Sequence, residues 1–77
     1  MVRESDRQKF VQLAQARVNK TLKDIQLIGN LSNRSNYDYT DEDVEKIFRA
    51  LSQEITVCKK RFDLSKRKAD AAMFKLE

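Results

Sequence analysis

The sequence predicts an all-α fold: an antiparallel two-helix hairpin with a long second helix, dimerising into a four-helix bundle or coiled coil. Three observations predict it. From Val44 to Leu76, residues that can be buried recur in alternating steps of four and three (Val44, Phe48, Leu51, Ile55, Cys58, Phe62, Ser65, Ala69, Ala72, Leu76), and only Ser65 is clearly polar. A mean step of about 3.5 residues keeps one narrow stripe turned toward a partner helix along its whole length. A second stripe, Phe10, Val11, Ala14, Val18, Leu22, Ile25 and Ile28, runs in steps of three and four beyond its adjacent first pair. Finally, the 77 residues contain no Pro and one Gly, so the chain lacks the punctuation that sheets and multiple turns require.

One domain covering 1–77 is expected, with a helix at about 5–28, a loop at 29–39 and a helix at about 41–76. Ser5 is an acceptable N-cap for the first helix, with Gln8 at the capping-box position. Gly29 follows the last apolar residue of that helix, where a left-handed C′ residue is expected. The loop GNLSNRSNYDY holds Asn30, Asn33 and Asn36, which hydrogen-bond their own backbone and so favour turns. Thr40 then reads as the N-cap of the second helix, with Asp43 completing a capping box and Tyr39 stapled to Val44.

A chain this short rarely buries enough apolar surface alone. Folding the helices back on each other pairs Ile28 with Val44, Ile25 with Phe48, Leu22 with Leu51, Val18 with Ile55, Ala14 with Cys58 and Val11 with Phe62. Large residues then meet large ones, Ala14 meets the small Cys58, and Arg7 reaches Ser65, so both stripes turn polar at one height. Leu13, Leu27, Val57 and Leu64 fall off the stripes, and Ala69, Ala72, Met73, Phe74 and Leu76 extend past the end of helix one. A homodimer covers them most economically.

Several function classes are disfavoured. The chain has no His and one Cys, which is expected to lie buried on the seam. The acids gather at a helix start, where capping explains them, and there is no Gly-rich phosphate loop. No enzyme activity, catalytic residue, cofactor, metal or small-molecule substrate is therefore expected. The charged N-terminal MVRESDRQKF has no apolar core of a secretory signal, and the longest apolar run, residues 71–74, cannot span a bilayer. No membrane association is expected, and the cytoplasm is the expected compartment.

The net charge of +4 conceals a strong asymmetry. Residues 38–45 carry five acids (Asp38, Asp41, Glu42, Asp43, Glu45) and no base, whereas residues 59–68 carry six bases (Lys59, Lys60, Arg61, Lys66, Arg67, Lys68) and only Asp63. Acids at a helix start complement the helix dipole, which accounts for the first cluster. The dipole is felt only within the last turn, so it accounts poorly for the second.

Two function classes follow. Protein binding by a regulatory or adaptor module is favoured, through Arg34, Tyr37 and Tyr39 in the loop and Met73 and Phe74 at the helix end. Turn chemistry and stapling explain the Asn residues and Tyr39, and Arg34 and Tyr37 are assigned to partner contact. The alternative is an RNA- or DNA-binding regulator using Lys59, Lys60, Arg61, Lys66, Arg67 and Lys68, two basic triplets one heptad apart.

The stretch RVNKTLKDIQLIGNLSNRSNYDYTDEDVEKIFRAL, from Arg17 to Leu51, resembles short bacterial helical-hairpin proteins of the kind carried on phages, plasmids and other mobile elements. The resemblance covers a little under half the chain and implies neither an activity nor a site. By architecture alone, the expected dimer of hairpins is similar to Rop, the plasmid RNA-binding regulator, although no Rop sequence motif is present.

Overall fold

The computed structural model describes residues 4–72 in the backbone and 4–68 in their side chains. All regular structure among the described residues is helical: α1 at Glu4–Gly29, a short 3-10 turn at Asn30–Ser32, and α2 at Asp41–Ala72. The all-α class with a longer second helix is as the sequence predicts. The chain divides into two compact units, Met1–Asp38 and Tyr39–Glu77, with one long helix in each. The seam position Leu76 and the candidate residues Met73 and Phe74 lie outside the described residues.

In the first unit, α1 begins at Glu4, so Ser5 stands inside the helix rather than at its cap. Glu4 and Asp6 occupy the first turn, where acids are favoured by the exposed N–H groups. The guanidinium of Arg7 lies 5.9 Å from the centre of the Phe10 ring, a cation–π contact within one turn. Lys20 and Asp24 form an exposed pair at 2.9 Å, and the Thr21 hydroxyl donates to the Arg17 carbonyl at 2.9 Å. Both are local helix contacts that contribute little to stability.

The end of α1 differs from expectation. Gly29 is not left-handed; with φ −59° and ψ −30° it is an ordinary right-handed helical residue, and no described residue has a positive φ. The helix stops by another route. Its last turn tightens into the 3-10 segment Asn30–Ser32, and Asn33 then leaves the helical region at φ −72° and ψ 102°. The Asn33 side-chain oxygen accepts from the Ser35 N–H at 2.9 Å, and its carbonyl accepts from the N–H groups of Asn36 (3.1 Å) and Tyr37 (3.0 Å). This Asx turn replaces a glycine cap, as the turn chemistry of Asn allows.

The second unit opens on the reciprocal cap expected of it. The Thr40 N–H donates to the Asp43 carboxylate at 2.9 Å, and the Asp43 N–H donates to the Thr40 hydroxyl oxygen at 3.1 Å. The Val44 N–H donates to the Thr40 carbonyl at 3.2 Å, the first bond of the helical ladder. Tyr39 and Val44, one residue before the cap and four after it, are both half-buried while their neighbours are exposed, as a hydrophobic staple requires. The Thr40 backbone hydrogen bond, and then a side-chain one from the same residue, hold the Asp43 carboxyl below its ordinary value of 3.8, with a smaller contribution from Lys46. Because the folded form has the lower pKa, this contribution is complete above the ordinary carboxylate value and is lost as pH falls through the folded one.

Two predictions follow from these helix ends. A Cβ added at Gly29 meets nothing within 4 Å, and the backbone there is already helical. Gly29→Ala should therefore stabilise α1 by about 0.4–1 kcal/mol by restricting the unfolded chain, seen as a higher melting midpoint by circular dichroism. A lower midpoint would mean that Gly29 uses a conformation closed to Ala. Thr40→Ala should cost the start of α2 about 1 kcal/mol and, because the N–H of residue 40 remains a donor, move the Asp43 carboxyl only part of the way back toward its ordinary value in a carboxyl-detected NMR titration. An unchanged Asp43 titration in that variant would show that the Thr40 hydroxyl has no share in the shift.

Candidate functional site

A lone helix cannot cover its own apolar stripe, and in both units the stripes are open. Among the described residues none is buried. On α2, Phe48 is 55% exposed, Ile55 56% and Phe62 63%, values that place large apolar side chains in contact with water. Cys58, expected in the core, is exposed with them. On α1, Phe10, Val18 and Leu22 are also about half exposed. The half-buried residues still trace the predicted pattern: Val11, Ala14 and Ile28 on α1, and Val44 and Leu51 on α2. Each stripe is thus a continuous apolar strip that its own helix leaves uncovered, the usual mark of an association surface.

The loop residues fall in different settings. Arg34 and Tyr37 belong to the first unit and sit within the turn built by Asn33; both are exposed, and the Tyr37 N–H is one of the donors that closes that turn. A turn held by three hydrogen bonds presents these two side chains from a defined backbone. Tyr39 belongs to the second unit and is half-buried one residue before the α2 cap. Nothing in the residue type separated Asn33 from Asn30 and Asn36, because all three have the same turn chemistry; the distinction lies in where the 3-10 turn runs out.

All six bases of the basic region are on α2 and exposed. They do not form one face. Successive helical residues turn by about 100°, so Lys59 and Lys66 lie on one flank of the seam, Arg61 and Lys68 on the other, and Lys60 and Arg67 point away from it. Arg67 lies 4.0 Å from Asp63 one turn back, an exposed pair that dilutes the outward row. Lys46 pairs similarly with Glu42 at 3.5 Å near the helix start. The one-heptad repeat holds position by position, but the triplets wrap the helix.

Among the described residues, no group of three or more His, Cys, Asp or Glu side chains is placed to hold a metal ion, and no helix is long and apolar enough to cross a membrane. Comparisons with protein-family models, curated proteins and solved structures found no match to this chain.

Proposed function

We propose that this chain is a non-enzymatic helical interaction module of the cytoplasm, a homodimer of antiparallel hairpins that acts by binding a protein partner. The observation that carries the reading is the exposure of both apolar stripes, with Phe48, Ile55 and Phe62 each more than half open to water. Fully covering a Phe or Ile side chain is worth about 1.5–3 kcal/mol, so strips of this size drive association. Pairing each stripe with another apolar stripe supplies that cover.

The partner surface is assigned to the loop and to the helix end. Arg34 and Tyr37 are the residue types that dominate binding hot spots, and they are exposed on a turn fixed by Asn33. Tyr39 borders them in sequence, and Met73 and Phe74 would give the far end of α2 an apolar docking edge. A regulatory or adaptor role suits a small dimer with two such ends, and it accords with the resemblance to hairpin proteins of bacterial mobile elements.

One observation favours a second reading, in which RNA or DNA is the ligand: Lys59, Lys60, Arg61, Lys66, Arg67 and Lys68 are all exposed on one helix. The two readings separate by experiment. In the protein-binding reading, a tagged chain retains a defined partner from its native host, and Arg34→Ala with Tyr37→Ala removes that partner while helicity is unchanged. Undiminished recovery would end the loop assignment. In the nucleic-acid reading, affinity falls steeply with salt, about tenfold to a thousandfold between 50 and 200 mM for a handful of phosphate contacts, and Lys60→Glu with Arg67→Glu abolishes it. Binding that is flat in salt would exclude this reading.

A further inference from the structure

We propose that the α2 stripe is a self-recognition surface, and that two copies of this chain pair their α2 helices antiparallel in one specific register. Val44 lies opposite Phe62, Phe48 opposite Cys58 and Leu51 opposite Ile55 of the second copy, with the two-fold axis passing between Leu51 and Ile55 at the height of Gln53. This deepens the dimer reading above and rests on it.

Two features bear on this arrangement, and the apolar one chooses its register. The first is apolar. The steps of four and three are symmetric about Gln53, so reversing α2 on itself places every seam residue from Val44 to Phe62 against another seam residue, and no polar side chain enters the layer. All six of these residues are exposed or only half-buried on the helix as it stands. The Asp41 and Ser65 positions then meet where the apolar contact ends. Ile47, Val57 and Leu64, exposed by 37%, 51% and 62%, lie outside this layer.

The second feature is charge. In this register the basic triplet Lys59, Lys60 and Arg61 comes level with Glu45, Lys46 and Ile47 of the second copy, and the triplet Lys66 to Lys68 comes level with the residues just ahead of Asp41. Of the acidic start, Glu45 comes level with Arg61 of the other chain, while Asp41, Glu42 and Asp43 come level with Ser65, Leu64 and Asp63, between the two triplets. Glu45 and Lys59 occupy the same flank of the seam, which in an antiparallel pair faces the like flank of the partner helix. The pair forms twice in the dimer. A parallel, in-register arrangement would set Arg61 against Lys66, base against base, and would give Lys59 a partner in Glu54 rather than Glu45. In the antiparallel register Lys59, too far from the helix end for the dipole to explain, acquires a counterpart in Glu45.

One contact in this register is unfavourable, since Glu54 meets Glu54 of the second copy near the axis. Sliding the helices by one heptad removes it and gains Glu54 against Arg61, but that slip places the polar Ser65 against Phe48. The apolar layer favours the unslipped register, and the two are distinguishable.

The test uses the full chain and its one native thiol. In the proposed register the two Cys58 thiols are about 15 Å apart along the axis, ten residues at about 1.5 Å each, outside disulfide reach. The wild-type chain should therefore sediment as a dimer yet form no covalent dimer on mild oxidation. Phe48→Cys should form one, joined between positions 48 and 58 of different copies in a peptide map. Because this substitution removes a seam residue, charge variants provide a second measurement: Glu45→Lys should raise the dimer dissociation constant roughly tenfold, and adding Lys59→Glu should restore it. Glu54→Gln should tighten the dimer. A Cys58–Cys58 link in the wild type would show parallel pairing. Linking of Phe48→Cys to Ser65→Cys, with Glu54→Gln loosening the dimer, would show the slipped register; either result overturns the proposal. A dimer that neither links at 48 and 58 nor responds to the charge variants overturns this interface alone and leaves the dimer itself standing. A monomer at micromolar concentration, including one that binds a duplex RNA or DNA probe through the basic triplets, overturns both.

Discussion

A single α-helix turns one side of every apolar stripe toward water, and no choice of rotamers can change that. Both long helices of this chain are governed by that constraint. Each is built from strong local signals and each ends up with Phe, Leu, Ile and Val side chains about half exposed along one line. Local order and tertiary cover are thus decoupled here. The start of α2 is fixed by hydrogen bonds that need nothing beyond residues 40–44, whereas the reason for the four-and-three spacing that follows lies outside the helix altogether.

That decoupling explains which features could be read in the sequence. Thr40 and Asp43 were legible because a capping box is a contract between residues three apart, and both of its hydrogen bonds are present. The Tyr39 and Val44 staple was legible for the same reason. Gly29 was misleading. A lone glycine after an apolar run is a common helix cap, but the left-handed residue is needed only if the chain must reverse there, and the 3-10 turn with the Asn33 Asx turn ends α1 without it. Ser5 was equally misleading, because Glu4 and Asp6 both suit a first helical turn and a boundary can move by a residue at little cost.

The site was legible only in its composition. Spacing alone located the stripe and the two charge clusters, and the structure keeps all of them on exposed surface. What spacing did not convey is direction. Two basic triplets one heptad apart suggest a single face, yet three consecutive residues necessarily spread around most of a helix. Cys58 shows the converse problem. Its place on the seam implied burial, but a seam position is buried only once a partner arrives, and within one unit Cys58 remains exposed.

The charge pattern gains meaning from the same constraint. Acids in the first turn of α2 would be favoured in any helix, since they face its unsatisfied N–H groups. The bases, several turns before the end of α2, receive no comparable benefit from the dipole, and Asp63 is the one acid among the six of them. Such a segment becomes favourable when an opposite charge is brought to it from elsewhere. The partner that answers the apolar stripe and the basic region together must itself present an apolar line flanked by acids at matching height. The reversed start of α2 offers Val44, Phe48 and Leu51 on the line with Glu45 beside it. A nucleic acid would answer the bases and leave Phe48, Ile55 and Phe62 in water. Covering the stripe is therefore the requirement that separates the candidates: a second apolar stripe would meet it and a polyanion would not.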